Sequence, residues 1–407
     1  MARVIEVVGV AACGVESMEP TARALVEQAR VVVGSPRLLG LLPAHPTQTR
    51  LPLPSPLRAG LPDLVSGLGE EGVVVLATGD PMVSGIGTTL VDLLGADAVR
   101  IHPALSSVAL ARARMRWSAE QSTVLSLVST PVAAIRRLLS PDARIVVLSA
   151  GPQTPGELAH ELVAAGWPDG SLTVLGDLGT EGESLRRSTA ADWDDGPSVP
   201  RLNVVAVHLP GEHAAYGMTA GLPDEAFEHD GQLTKREIRA AALATLRPMP
   251  GQLLWDLGAG AGSVGIEWAR AADRARTIAV ERDPDRAARI ARNAVALGVP
   301  GIRVVQGETD LVTAADHGLP DPDAVFVGGG ASTGVVDAAW GALRPHGRIV
   351  LHAVTLDTEA IAVAAFRAHG GELRRLSVER AEPLGHHLSW TPARPVVQWS
   401  CTKEGLP

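Results

Sequence analysis

The sequence predicts an α/β protein of two domains, the second built on a Rossmann-like, mostly parallel sheet. Three observations predict it. At 407 residues the chain is longer than one ordinary hydrophobic core requires. Short apolar runs of strand length alternate with helical stretches in two blocks, parted by a segment without apolar period. The second block opens on a glycine-rich strand-to-helix loop, WDLGAGAGSVGIE (255–267), with a strand-ending acid in IAVERDP (278–284).

In the first block, strands are expected at 4–10, 29–33, 73–77, 143–148, 172–175 and 203–208. Their βα rhythm implies one largely parallel sheet covered on both faces. Residues 212–232, with glycine, charge and no apolar period, read as a linker between domains at 1–211 and 233–407. A helix is expected over 235–245, followed by strands at 253–257, 277–281, 302–306, 324–327 and 348–351. The loop's own helix starts near residue 263, and a closing run at 396–401 fits a seventh, antiparallel strand. No internal repeat relates the blocks.

Apolar content of 46% and charged content of 20% are globular values. A net charge of −9 without a basic stripe argues against nucleic-acid binding. Lysine occurs only at 235 and 403, so arginine carries the positive charge, spread as a chain-wide bias. Cys13 and Cys401 form neither a disulfide framework nor metal-ligand spacing, and no metal is expected. No run approaches 18 apolar residues, and the opening MARVIEVVGV enters a strand without a signal-peptide core. A cytoplasmic protein with no membrane span is the expectation.

Two cofactors fit the glycine loop. Gly260-Ala261-Gly262-Ser263-Val264-Gly265 matches the dinucleotide fingerprint of a nicotinamide-dependent oxidoreductase, with pyrophosphate on the helix N-terminus. Asp256 followed by Gly258-Ala259-Gly260-Ala261-Gly262 matches the D-x-G-x-G-x-G pattern of S-adenosylmethionine (SAM) methyltransferases. Glu281 suits ribose hydroxyls in either register. Asp256 tilts the choice towards SAM, because its carboxylate suits a cationic amino-acid moiety and repels a pyrophosphate. A tight strand-to-helix turn with no ligand is the bland alternative.

The second block resembles the C15-methylating domain of cobalamin biosynthesis through QLTKREIRAAAL, WDLGAGAGSVGIEWAR, IAVERDPDRAARIARNAVALGV, PDPDAVFVGGG and LRPHGRIVLHAVTLDTE. The first resembles a tetrapyrrole methylase through VVVLATGDPMVSGIGTTL, HPALSSVALARARMRW and TPGELAHELVAAGWPDGSLTVLGDLGTEGE. Nearly end to end, the chain is similar to the fused, decarboxylating C5,15-methyltransferases of precorrin-6Y. The resemblance implies a tetrapyrrole-methylase-type α/β domain followed by a class I SAM methyltransferase domain with a seven-stranded sheet. It also implies two SAM sites, a polycarboxylate tetrapyrrole substrate, methylation at C5 and C15, decarboxylation of the ring C acetate, and a homo-oligomer (dimer or tetramer). A non-catalytic scaffold, or a chain active only in its C-terminal half, are the alternatives.

Site residues follow from the same resemblance. Besides Asp256, Gly258, Ala259, Gly260, Ala261, Gly262 and Glu281, it points to Gly307, Glu308 and Thr309 for the adenine. Glu308 departs from the Gly-Asp-Ala more frequent in the family. Thr234 is either a cofactor neighbour or the N-cap of its helix, and Gly328 begins a triple glycine after a buried strand. In the first block, Thr78, Gly79, Asp80 and Pro81 match the G-D-P of the methylase cleft, or form an ordinary turn. Ser106 and Ser107 are cofactor contacts or helix caps. The opening Gly9-Val10-Ala11-Ala12-Cys13-Gly14 lacks the family's middle glycines and proline. Arg37, Arg112, Arg114 and Arg116 read as surface charges more readily than substrate clamps, and His386-His387 as surface residues. No acid–base residue is named, since a sulfonium donor and an enamine-like macrocycle need positioning above all.

Overall fold

A computed structural model describes residues 4–69, 72–196, 198–211, 213–310 and 318–405. The chain divides into two compact units, residues 1–132 with 141–213, and residues 133–140 with 214–407.

The first unit contains two five-stranded sheets. One comprises β1 (Ile5–Val10), β2 (Val31–Gly34), β3 (Thr49–Pro52), β4 (Val73–Thr78) and β5 (Val99–His102) in the order β3-β2-β4-β1-β5. All its pairings are parallel. Alternation explains the apolar runs: Val7, Val33 and Val75 pack on one face, Val8, Val32 and Val74 on the other. The second comprises β6 (Thr123–Ser126), β7 (Arg144–Leu148), β8 (Ser171–Gly176), β9 (Ser184–Thr189) and β10 (Asn203–His208), ordered β6-β7-β10-β8-β9. Here β10 runs antiparallel to both neighbours, and β8 and β9 form a hairpin. The single largely parallel sheet expected for this block is therefore corrected. A short apolar run fits the middle of either sheet type equally well, so strand direction was not in the pattern.

The second unit is built on seven strands: β11 (Leu253–Leu257), β12 (Arg276–Glu281), β13 (Arg303–Gln306), β14 (Ala324–Val327), β15 (Arg348–Ala353), β16 (Glu372–Leu376) and β19 (Val396–Thr402). Their order is β13-β12-β11-β14-β15-β19-β16, with β19 alone running against the other six. This is the sheet the resemblance implies. In β11 and β14, Leu253, Trp255, Leu257, Val325 and Val327 enter one core, while Leu254, Ala324 and Phe326 enter the core opposite. Each buried Leu, Val or Phe side chain among them contributes about 1.5–3 kcal/mol when taken from water. A separate exposed ribbon, β17 (Glu379–Leu384) with β18 (His387–Pro392), has no counterpart among the expected strands.

Much of the expected linker is part of this unit. Leu222 and Phe227 are buried against the helix Ser263–Ala271 and its neighbours. The Gly221 and Leu222 amides donate to Glu267. Composition missed this because an irregular segment needs only two apolar anchors to dock. Residue 212, the first of that stretch, lies outside the described residues.

Candidate functional site

At the carboxyl edge of the second unit's sheet, β11 turns at Gly258. A Cβ there would lie 2.2 Å from the Gly329 carbonyl oxygen, and φ is 68°, so the loops after β11 and β14 meet through bare backbone. The Gly258 and Ala259 amides both donate to the Val280 carbonyl at 3.0 Å, which ties the loop to β12. At the end of β12, the buried Glu281 carboxylate accepts from the Gly260 amide (2.8 Å) and the Asp283 amide (3.1 Å). Each of its oxygens keeps a further lone pair for a ligand hydroxyl.

These loops open on a cleft of about 720 Å³, a size suited to a cofactor with part of a substrate. Of the residues expected from sequence, Thr234, Gly258, Ala259, Gly260, Glu281, Gly307, Glu308, Thr309 and Gly328 line it. Asp256, Ala261 and Gly262 do not.

Asp256 has a different place from the one expected. It is 1% exposed, and one carboxylate oxygen accepts from the Gly265 amide at 2.8 Å while the other has no partner among the described residues. Burial pushes its pKa up to about 7; the Gly265 bond opposes this and the Glu281 charge adds to it. The side chain closes the first turn of the helix Ser263–Ala271 from within and does not face the cationic end of a cofactor. The same contact weighs against the dinucleotide register. That helix start already faces a carboxyl group, and Ser263, Val264 and Gly265 are buried, which leaves no cradle for a pyrophosphate.

Thr234 is not a helix cap. Lys235 holds the N-cap position without a side-chain bond, and the Thr234 carbonyl accepts from the guanidinium of Arg239. Arg239 is fully buried and donates to Glu267 at 2.6 Å and to the Leu222 carbonyl. This buried pair pins the segment 221–234, whose end forms one wall of the cleft.

Sequence reasoning passed over His352. It lies on β15 at the cleft, 6% exposed, bonded through Nε2 to Gln398 (3.0 Å) and edge-on to Phe326. Burial lowers its pKa to about 4, so the imidazole is neutral near pH 7. The rule that ligands bind at the carboxyl ends of such strands was the signal that could have found it. Arg380, within β17, and Arg394, just after β18, are also in the cleft wall and belong to a ribbon that periodicity did not reveal.

In the first unit, the ends of β1, β4 and β5 converge. The Gly79 amide donates to the Val10 carbonyl at 2.8 Å. A Cβ on Gly9 would lie 2.2 Å from the Gly79 oxygen and 2.6 Å from the Ala104 nitrogen, so three chain segments touch without side chains. Around them, the Thr78 hydroxyl accepts from Arg37 at 2.9 Å, and Asp80 accepts from the Met82 amide at 2.8 Å. Pro81 follows in the same turn, its carbonyl accepting from the Gly87 amide. Ser106 is the N-cap of the helix Ser107–Met115 and accepts from the Ala109 amide. Its hydroxyl therefore does cap, and Ser107 begins the helix. The departing loop turns at 11–14, where the Gly14 amide donates to the Ala11 carbonyl, with Cys13 exposed. Arg112 is bonded to Ser122 and Arg114 to Glu183, so both are engaged within this unit. His386 and His387 are exposed at the ribbon turn, and no metal-holding cluster of three occurs among the described residues.

Both halves match family models of methyltransferases. Residues 4–194 match the tetrapyrrole (corrin/porphyrin) methylases, and residues 225–403 match a precorrin methyltransferase domain. Fold and family models thus define a two-domain methyltransferase. Over 402 residues the chain is 42% identical to the precorrin-6Y C(5,15)-methyltransferase (decarboxylating) of Sinorhizobium sp, covering 98% of this chain and 96% of that protein. Over 406 residues it is 41% identical to the enzyme of the same name from Mycobacterium tuberculosis, covering 98% and 100%. Among solved structures, the C-terminal domain of precorrin-6Y C5,15-methyltransferase from Rhodobacter capsulatus is 43% identical (TM-score 0.44), covering 46% of this chain and all of that one. The chain belongs to the family of precorrin-6Y C(5,15)-methyltransferases (decarboxylating).

Proposed function

We propose that this chain methylates precorrin-6Y at C5 and C15 and decarboxylates its ring C acetate, giving precorrin-8x in cobalamin biosynthesis. The observation that carries the reading is the cleft at Gly258–Gly260 and Glu281, joined in one chain to the backbone convergence at Gly9, Gly79 and Ala104. In this assignment the C-terminal unit methylates C15 and decarboxylates, and the N-terminal unit methylates C5. In this assignment each unit holds one SAM.

The residues fit such a cofactor. At Gly258 a side chain would collide with the Gly329 backbone, so bare main chain lines the cleft there, and Glu281 presents carboxylate lone pairs beside it. When bound, SAM supplies a methyl group already activated as a sulfonium. Glu281 orients the ribose, Gly307–Thr309 flank the adenine, and Gly258 with Gly328 lets backbone approach the amino-acid end. His352, neutral at working pH, adds no charge that would repel the sulfonium. The nucleophilic carbon and the electron sink for decarboxylation belong to the conjugated macrocycle, so the chain's task is to orient it and exclude water. In the N-terminal unit, Thr78–Pro81 with Ser106 and Ser107 form the corresponding cofactor cleft.

A homo-oligomer and a cytoplasmic location, with no nucleic-acid partner, complete the reading. No helix among the described residues is long and apolar enough to cross a membrane. Calorimetric titration of the full chain with S-adenosylhomocysteine and with NADH tests the cofactor. Two equivalents of the homocysteine per chain and no NADH uptake are expected. Tight NADH binding without the homocysteine would overturn the reading.

A further inference from the structure

The cleft of the second unit spans the carboxyl edge unevenly. Gly258–Gly260, Glu281 and Gly307–Thr309 lie over β11, β12 and β13, whereas Val354, Val378, Arg394 and Val396 lie where β15, β19 and β16 meet. From β12 to β19 is four strand steps, roughly 19 Å at the usual spacing between strands. The second end is therefore well removed from the ribose acid.

Five basic side chains line the cleft, and four have an acid partner. Lys235 faces Asp224 (3.5 Å), Arg282 faces Glu308 (3.8 Å), Arg286 binds Asp230 (2.8 Å) and Arg380 binds Glu237 (2.5 Å). Arg394 has neither an ion pair nor a hydrogen bond among the described residues. Its backbone is nonetheless fixed: the Ala393 amide donates to the Val378 carbonyl at 2.9 Å, and the buried strand β19 starts at Val396. A guanidinium held at its root, unpaired at its tip and set beside Val354, Val378 and Val396 suits a flat apolar ring with an acidic arm.

We propose that Arg394 anchors a carboxylate side chain of the macrocycle, an inference that rests on the tetrapyrrole reading of this cleft. Arg394 places the ring over β15 and β19 while the cofactor occupies the β11–β13 end. The residue thus determines substrate binding without touching the cofactor. A cofactor carboxylate is the competing anion, and the test separates the two.

Full-length wild type, Arg394→Lys, Arg394→Ala and Arg394→Glu are titrated with S-adenosylhomocysteine, then assayed on precorrin-6Y with SAM. Carbon dioxide release reports the C-terminal unit, and a methyl located at C5 of the product reports the N-terminal one. Arg394→Ala should raise the KM for decarboxylation about tenfold or more, as loss of a charge-assisted bond implies. Arg394→Glu should do worse and Arg394→Lys better, with homocysteine affinity and C5 methylation unchanged. An unchanged KM in Arg394→Ala overturns the assignment, as does an equal loss of homocysteine affinity. If wild type itself releases no carbon dioxide, the functional reading is what fails. Macrocycle binding in the presence of the homocysteine then decides on Arg394: tenfold weaker uptake in Arg394→Ala supports it, and equal uptake overturns it.

Discussion

Asp256→Asn separates a buried structural acid from a ligand-binding one. In the native protein burial raises the Asp256 pKa from 3.8 to about 7, helped by the Glu281 charge. That is roughly 3 pK units, or on the order of 4 kcal/mol against the ionised form once the pH exceeds 7. The sign follows from proton counting. Between about pH 4 and 7 the folded chain holds a proton on Asp256 that the unfolded chain has lost, so rising pH works against folding in this window. Asparagine retains an acceptor for the Gly265 amide and does not titrate. The stability of Asp256→Asn relative to wild type should therefore grow between pH 4 and 8, by up to roughly 4 kcal/mol. Thermal melts at both pH values measure it, and subtracting wild type cancels the other carboxylates. Homocysteine affinity should stay within about threefold, because Asp256 does not line the cleft. An identical pH dependence in both proteins, or a folded variant that no longer binds the homocysteine, refutes the reasoning.

Further outcomes follow from the same geometry. Gly258→Ala drives a Cβ into the Gly329 backbone at positive φ, so decarboxylation and one of the two homocysteine sites should be lost while C5 methylation persists in product analysis. Gly79→Ala places a Cβ 3.2 Å from Ser106 Cα at a φ of 61°, and should abolish C5 methylation while leaving carbon dioxide release intact. Arg239→Met strands Glu267 in the interior and should cost about 3–5 kcal/mol in denaturant unfolding of the second unit, with weaker homocysteine binding as the 221–234 wall loosens. His352 has its pKa lowered from 6.5 to about 4, so it favours folding above pH 6.5 and loses up to roughly 3 kcal/mol of that as pH falls through the window. His352→Gln should flatten that acid limb in melts between pH 4 and 7.

Six of the seven sheet strands of the second unit were legible because each is a short apolar run ending in turn chemistry. Leu253–Leu257 and Ala324–Val327 fall where the pattern places them, and the antiparallel closing strand does too. The glycine loop with its acid was legible for the same reason: close backbone approach excludes side chains, and glycine is the visible trace. Three things were not legible. Strand direction in the first unit depends on partners far along the chain. The charged strand β16 and the exposed ribbon β17–β18 carry no buried face to impose a period. The role of Asp256 depends on which way its carboxylate points, and the motif fixes only its position. Cleft residues such as His352 and Arg394 come from strand ends and loops that only the sheet order brings together.

Mass spectrometry of the product formed from precorrin-6Y and SAM by the full-length chain tests the central claim most directly. A macrocycle that has gained two methyl groups and lost one carbon dioxide is predicted. A macrocycle with no added methyl, or one methylated only at C5 and still carrying its ring C acetate, would contradict it.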